Sequence, residues 1–133
     1  MARVEIVERG WVGHFILGHR CRFRRNTLVS CGDKRVVVST VGQLRNMKDN
    51  GFEEVGHNRY FETMAFVAVH DGRYWDADVS RNVPFLSEWS IGEVDADDDA
   101  NDMHEAVVNE IKNKLADGSI DDLFVEKKDS HEE

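Results

Sequence analysis

The segment with the most chemical potential is a run of arginines interrupted by one aromatic residue. It reads Arg20-Cys21-Arg22-Phe23-Arg24-Arg25-Asn26-Thr27. Guanidinium groups can hold a phosphate through paired hydrogen bonds, and an aromatic ring can stack on a base. The same pattern also suits an edge strand whose charges prevent aggregation, so a binding role and a structural role are both indicated.

A second polar segment lies where a turn leads into a long apolar run. After Gly56 it reads His57-Asn58-Arg59-Tyr60-Phe61. Side chains of these types around a glycine can cradle a phosphate or an oxyanion. The alternative is ordinary turn chemistry with a buried Arg59–Glu62 pair. A third polar segment contains Arg81, which could complete the same pocket.

Together the three segments predict a binding site for a phosphate-bearing, nucleotide-like small molecule. We expect the aromatic rings to stack on a base, the arginines and Asn58 to hold phosphate, and Arg81 to close the pocket. The expected ligand-binding residues are Phe23, Arg24, Arg25, Asn26, His57, Asn58, Arg59, Phe61 and Arg81.

The sequence defines no catalytic set, and we expect neither a cofactor nor a metal. Asp76 and Asp78 share a strand face and could act with a histidine as an acid–base or metal pair, although such carboxylates more often bind arginines. Cys21 and Cys31 lack the spacing to histidines or to each other that zinc sites show. Walker-type, dinucleotide-binding and G-x-S-x-G motifs do not occur. A small hydrolase or metal enzyme therefore stays an alternative.

The sequence predicts mainly strands, followed by one long helix, as the elements that position these residues. Short apolar or alternating runs bounded by glycine and turn residues favour strands over helices. We expect strands near residues 4–8, 11–17, 20–29, 35–41, 60–70 and 73–79, and a short helix at 43–49.

The strongest local signal is a hairpin turn at Asp71-Gly72, a dipeptide that favours a two-residue type I′ turn. This turn would pair His70 with Arg73. The core face of the hairpin would then consist of Met64, Phe66, Ala68, Trp75, Ala77 and Val79.

The helix is predicted from Met103 to Ala116, because apolar residues recur there every four positions. Asp102 with Glu105 resembles a capping box at its start, and Gly118 would end it. The six carboxylates between residues 93 and 102 indicate a solvated linker.

The charge of the chain is divided unequally between its two parts. The whole chain of 133 residues carries 17 basic and 26 acidic residues, a net charge of −9. Residues 1–92 carry 13 and 11, a net of +2, and residues 93–133 carry 4 and 15, a net of −11. Solubility is the default role of the acidic part. The negative net charge and the acidic part argue against tight binding to duplex nucleic acid.

These patterns predict an α+β fold, with a mainly antiparallel sheet of five to six strands and one C-terminal helix packed on it. A β-rich body at 1–92 and an acidic linker, helix and tail at 93–133 would form one domain. The sequence has neither an apolar signal region nor a stretch that could span a bilayer, which favours a cytoplasmic protein. Apolar residues expected at the surface make a homo-oligomer plausible: Trp11, Trp89 and Phe124.

In size, acidic end and general composition, the chain resembles small phage or prophage proteins that counter bacterial defence. Some of these proteins are acidic and obstruct DNA-binding machinery, as anti-CRISPR and anti-restriction proteins do. Others, such as the anti-Thoeris sponges, sequester cyclic nucleotide signals. Two segments would fit a sponge: Arg22-Phe23-Arg24-Arg25-Asn26 and His57-Asn58-Arg59-Tyr60-Phe61. The resemblance implies a binder that sequesters a nucleotide-like molecule, or an acidic inhibitor that covers a nucleic-acid-binding partner protein through residues 93–133.

Overall fold

Antiparallel strands are the main secondary structure of the molecule. The computed structural model describes residues 3–11 and 13–124. The elements in chain order are β1 (Val4–Arg9), β2 (Cys21–Cys31), β3 (Lys34–Arg45), β4 (Phe52–Glu53), β5 (Phe61–Asp71), β6 (Tyr74–Asn82), β7 (Ser90–Ile91) and α1 (Asp97–Asp117). Short 3-10 turns lie at Gly18–Arg20 and Asp121–Phe124. The expected tail falls outside the described residues.

The strands form one antiparallel sheet in the order β1-β2-β3-β5-β6, with β4 paired to β3 and β7 paired to β5. Strand β3 is central because its valines and Thr40 suit a pleated surface that is covered on both sides. Only α1 is an α-helix within the described residues, and it follows all the strands. The predicted α+β fold with an antiparallel sheet and one C-terminal helix is therefore confirmed.

Helix α1 packs on one face of the sheet and forms the main core there. Its Val107, Ile111 and Leu115 are buried against that face. The register places matching valines side by side, since Val36 pairs with Val29 on one neighbour and with Val67 on the other. No helix within the described residues is long and apolar enough to cross a membrane.

The opposite face is crossed by the segment between β1 and β2, which we call the strap (residues 10, 11 and 13–17). Phe15 and Leu17 of the strap pack against Cys21, Val41 and Leu44. The strand predicted at 11–17 is wrong, because the described strap residues form bends and turns.

Gly13 explains how the strap can lie so close to the sheet. It has a φ of 90°, and a Cβ atom there would lie 2.7 Å from Ser39 Oγ and 2.8 Å from Val41 Cγ1. Glycine alone fits this conformation and this approach. The strap therefore contacts the face of the sheet at Gly13, and it does not pair with a neighbouring strand as the prediction of a strand at 11–17 required.

The two edge strands of the sheet approach each other on the strap side. Arg9 Nη1, at the end of β1, donates to the Trp75 carbonyl oxygen of β6 at 2.5 Å. The Trp11 and Tyr74 rings meet edge to face with centroids 5.7 Å apart. Since β1 and β6 are the two ends of the strand order, the sheet curls around this side.

The β5–β6 hairpin differs from the predicted register. Asp71 pairs with Tyr74 and His70 with Trp75, so the two-residue loop is Gly72-Arg73. Gly72 has a φ of 63°, and one glycine at the first loop position suffices for a tight hairpin.

The prediction of which hairpin face forms the core under helix α1 is also wrong. Helix α1 packs against Ala65 and Val67, not against the face of Phe66. Phe66 is nevertheless buried, because the His14 ring of the strap lies 5.7 Å from it. Between the pairs Ala68–Ala77 and Phe66–Asn82, β6 has three more residues than β5, so the regular register that the prediction assumed is broken on β6.

Two helix predictions need correction, although the end of α1 at Gly118, with a φ of 78°, is confirmed. The helix begins at Asp97, so residues 97–102 of the expected linker are helical, and no side-chain hydrogen bond caps its start. Asp97, Asp98 and Asp99 lie in the first turn, where the positive end of the helix dipole favours carboxylates. The helix predicted at 43–49 is absent because β3 continues to Arg45.

Candidate functional site

The aromatic residues of the predicted site lie in the core. Phe61 is fully buried, Phe23 nearly so, and their rings meet edge to face at 5.6 Å between centroids. Met103 of α1 packs in the same cluster. Neither ring is therefore presented to a base in this structure.

The arginines of the predicted site do not converge. Arg25 is held on the helix side by Glu8 and Glu105, each 2.7 Å away. The Glu8 hydrogen bond is the largest of the causes that raise its pKa. Arg81 donates to the Leu123 carbonyl oxygen at the far end of the chain. These two guanidinium groups act as structural links.

The second polar segment forms a turn rather than a cradle. Gly56 and Arg59 form an isolated bridge, and Asn58 has a φ of 58°. Asn58 Nδ2 lies 3.2 Å from His57 Nε2. Arg59 Nη1 donates to Glu62 Oε2 at 2.7 Å, which is the buried pair considered as the alternative.

Asn26 and Arg24 differ from the other predicted residues because they lie on the strap side of β2. Asn26 is the cross-strand partner of Ser39 on β3 and of Arg9 on β1. Arg24 is two positions from Asn26 on the same face. It is exposed, and no ion pair to it is found within the described residues.

The structure contains a cleft of about 420 Å³ that Asn26 lines, which we call the strap cleft. This volume lies within the usual range for small-molecule sites. The strap and three strands, β2, β3 and the edge strand β6, contribute to it. Its lining residues are Gly10, Trp11, Gly13, His14, Asn26, Ser39, Tyr74, Asp76 and Ala77.

The polar floor of the strap cleft is a chain of hydrogen bonds centred on His14. Its Nδ1 lies 2.8 Å from Ser39 Oγ, and its Nε2 lies 2.8 Å from Glu62 Oε1. The other Glu62 oxygen accepts from Arg59, whose guanidinium lies 4.1 Å from the Trp89 ring centroid. We call these four residues, Ser39, His14, Glu62 and Arg59, the His14 chain.

Glu62 is ionised at neutral pH as a result of these contacts. Burial alone would raise its pKa, but hydrogen bonds from His14 and Arg59 and their charges outweigh burial. The net effect is a pKa below the usual value for glutamate. An ionised carboxylate can only accept, so Nε2 of His14 carries a hydrogen.

Arg9 contacts two residues that line the strap cleft, Asn26 and Trp11. Its Nε donates to Asn26 Oδ1 at 2.9 Å, and its guanidinium lies 3.5 Å from the centroid of the Trp11 ring. Burial lowers the pKa of Arg9, and the nearby Asp76 carboxylate opposes this effect. Nη2 of Arg9 is buried without a hydrogen-bond partner among the described residues.

Asp76 and Asp78, which the sequence analysis considered as a pair, make different contacts in the structure. Asp76 lines the strap cleft, and one of its oxygens accepts from the Ala77 amide at 2.8 Å. Asp78 Oδ1 accepts from the amide and hydroxyl of Ser80 at 3.1 and 2.6 Å. Residues 3–11 and 13–124 contain no group of three or more histidine, cysteine or carboxylate side chains that could hold a metal ion.

The sequence analysis missed Trp11, His14, Ser39 and Tyr74 as site residues. Trp11 and His14 were assigned to a strand, and Ser39 lies in a valine-rich run that reads as core. The usable signal was a polar Ser39 within that run together with the glycines around the strap. Nothing in the sequence shows that these segments meet.

Comparison of the chain with models of known protein families, with curated proteins and with solved structures found no match. The geometry of the described residues is therefore the basis for any functional conclusion.

Proposed function

We propose that the protein binds and sequesters a nucleotide-like small molecule in the strap cleft. The observation that carries this proposal is the combination of an aromatic ring, a carboxylate and an amide in one cleft. Tyr74 is 58% exposed, and Asp76 and Asn26 line the same space. Arg24 lies next along the strap side of β2.

The lining suits a flat heteroaromatic ring with hydrogen-bonding edges. A base can stack on the exposed Tyr74 ring beside Trp11. The Asp76 carboxylate can accept from ring N–H and amino groups, whereas Asn26 offers its amide nitrogen because its oxygen is taken by Arg9. This combination favours guanine-type edges, which present adjacent donors.

The phosphate would lie outside the strap cleft and close to Arg24. Residues two apart on a strand are separated by about 7 Å, so a base near Asn26 places a 5′ or cyclic phosphate within reach of Arg24. A guanidinium without an ion pair can bind phosphate in a bidentate manner. Different residues would therefore bind the two parts of the ligand: Tyr74 and Asp76 the base, and Arg24 the phosphate.

Calorimetric titration and thermal shift with guanosine, adenosine and their 5′ and cyclic monophosphates test this proposal. Tyr74→Ala should abolish binding of all of them, since it removes the stacking surface. Arg24→Ala should remove only the preference for phosphorylated forms, about tenfold if one charge-assisted contact of roughly 1.5 kcal/mol is lost.

Arg22→Ala is the matched control, because Arg22 is exposed on the same strand but lines a different cleft, with Arg45 and Phe52. It should leave all affinities unchanged. If no compound raises the melting temperature, or if Tyr74→Ala binds normally, the proposed site is wrong. Tight binding of a cyclic nucleotide would support the sequestering role that the resemblance to counter-defence proteins implies.

A second candidate function concerns the acidic end of the chain. A cleft of about 510 Å³ there combines a rim of carboxylates with an apolar floor that includes Met103. A basic side chain of a partner protein would match it in charge, as an acidic inhibitor requires. The carboxylates are Glu88, Glu93, Asp99 and Asp102.

Binding to an arginine-rich peptide, measured by fluorescence anisotropy, tests this second candidate. The combined changes Glu88→Gln, Asp99→Asn and Asp102→Asn should weaken binding well beyond a general charge effect. The control removes three exposed carboxylates elsewhere: Glu5→Gln, Glu53→Gln and Glu54→Gln. Equal losses in the two triple variants would mean that net charge, rather than this cleft, attracts the peptide.

A further inference from the structure

We propose that Ser39 is a nucleophile that attacks a small acyl electrophile seated in the strap cleft, with His14 as its general base and Glu62 as the positioning residue. The inference rests on the strap cleft being open to small molecules, but not on the ligand being a nucleotide.

The distances in the His14 chain are those of an activated nucleophile. Ser39 Oγ and His14 Nδ1 are 2.8 Å apart, as are His14 Nε2 and Glu62 Oε1. A hydroxyl, an imidazole and a carboxylate in series define such a set by geometry, whatever their order in the chain. Both Ser39 and His14 line the strap cleft, so the reacting end of the series borders that cleft, close beneath the strap.

The direction of the hydrogen bonds fits proton transfer from serine to histidine. Because ionised Glu62 fixes a hydrogen on Nε2, Nδ1 of the neutral ring is the acceptor and takes the Ser39 hydroxyl proton. The imidazolium that forms on proton transfer is stabilised by Glu62. The backbone amide of His14 also donates to Ser39 Oγ at 3.0 Å, which favours developing negative charge on that oxygen.

The surroundings hold the base and the carboxylate rigidly. The side chains of His14 and Glu62 are only 8% and 12% exposed. Arg59 fixes the second oxygen of Glu62 at 2.7 Å. A pre-organised base of this kind needs no reorganisation when the proton moves.

Asn26 supplies a donor for the oxygen of the substrate. It is the direct cross-strand partner of Ser39 and lines the strap cleft. Its side-chain oxygen accepts from Arg9 Nε, so the amide nitrogen is the group left to donate to an oxyanion beside Ser39.

The reaction of an acetyl ester illustrates the step. Ser39 Oγ forms a bond to the carbonyl carbon while its proton moves to His14 Nδ1. The bond between that carbon and the alkoxy oxygen breaks, and the leaving alcohol takes the electron pair and the His14 proton. Water then adds to the acetyl group, acetate is released, and Ser39 regains its proton. Ser39 is 1% exposed, so the acyl group must be small.

Reaction of the intact protein with p-nitrophenyl acetate, followed by mass spectrometry, tests the proposal. We expect a burst of p-nitrophenolate equal to the protein concentration and an acetyl group mapped to Ser39. His14→Ala should slow the burst at least about 100-fold, which is the low end of general-base catalysis. Glu62→Gln should slow it less and alter its pH profile, whereas a purely structural role would leave that profile unchanged.

Ser119→Ala is the matched control, because Ser119 is an exposed serine beyond α1. It should react like the unchanged protein. Acetylation at lysines alone, or at Ser39 with the same rate in His14→Ala, would overturn the proposal. Since the site is mapped on the unchanged chain, the result does not depend on the folding of a variant. Nucleoside binding without acetylation would refute only this inference, and acetylation without nucleoside binding would refute only the proposed ligand.

Discussion

At the scale of single residues, His104 is a buried side chain with hydrogen bonds at both of its ring nitrogens. It is fully buried between α1 and the sheet, where Nε2 lies 2.7 Å from Thr27 Oγ1 and Nδ1 lies 2.7 Å from Thr40 Oγ1. Thr40 Oγ1 in turn lies 2.6 Å from Thr63 Oγ1. Such a network tolerates one protonation state, because a second ring proton would disturb it.

This arrangement predicts a loss of stability in mild acid. Burial, aided by the charge of Arg25, lowers the pKa of His104 to about 4 despite Glu8 and Glu105. In the unfolded chain the ring has its ordinary pKa near 6.5. Stability is therefore fully present above about pH 6.5 and falls as the pH drops towards 4, by roughly 3 kcal/mol in total.

Urea unfolding between pH 7.5 and 4.5 measures this effect. His104→Gln should lower stability at pH 7.5 and remove most of the additional loss on acidification. His57→Gln is the control, because His57 is exposed and should leave the pH dependence unchanged. The same dependence in all three proteins would contradict the assignment.

At the scale of elements, Glu110 attaches the loop after β6 to helix α1. Its Oε2 accepts from the Leu86 amide at 2.5 Å, and its Oε1 accepts from the Ser87 amide at 2.9 Å. Lys114 donates to Glu110 at 3.0 Å and to the Pro84 carbonyl oxygen at 3.2 Å. The helix thus fixes a loop that brings Phe85 against the core.

Removing the carboxylate should loosen this loop without unfolding the sheet. Burial would raise the pKa of Glu110, but the hydrogen bonds from Leu86, Ser87 and Lys114 outweigh it and lower the pKa to about 2. The stabilisation is thus present above about pH 4.5 and is lost as the pH falls towards 2.

We expect Glu110→Gln to cost about 2 kcal/mol, as for hydrogen bonds to a charged group, and to speed hydrogen exchange at the Leu86 and Ser87 amides. Glu88→Gln, a change at an exposed carboxylate in the same loop region, should leave those amides protected. Unchanged exchange in Glu110→Gln would show that the loop is held by other contacts.

At the scale of the whole molecule, Arg9 joins the two ends of the sheet. It contacts Asn26, the Trp75 carbonyl oxygen and the Trp11 ring at once. The strap cleft exists because the sheet curls far enough for β1 and β6 to share these contacts. Arg9→Met keeps the aliphatic length of the side chain but removes its two hydrogen bonds and its cation–π contact.

This change should open the strap cleft and expose Trp11. We expect greater quenching of tryptophan fluorescence by acrylamide, and weaker ligand binding, while the circular dichroism of the sheet is retained. The increase should vanish in a Trp11→Phe background, which identifies its source among the three tryptophans. Arg73→Met, at an exposed turn position, is the control and should not change quenching.

The sequence by itself determined the class of the fold and the positions of most elements. The β-branched run of β3, the glycine in the β5–β6 turn and the apolar period of α1 are local signals, and local physics acts on them directly. Errors arose where tertiary contacts compete with local preference. The first three residues of the helix expected at 43–49 became the end of β3, and extra residues on β6 broke the register expected for the hairpin.

The site was decided only by the tertiary structure. Arginines and aromatic residues that are adjacent in sequence separate, because alternate residues of β2 point to opposite faces: Phe23 and Arg25 face the helix, and Arg24 and Asn26 face the strap. Conversely, Ser39 and Glu62 meet His14 across 25 and 48 positions of chain. The spacing of residues along a sequence determines only which side chains share a face of one strand or helix. The curl of the sheet and the close passage of the strap at Gly13 decide which elements face each other.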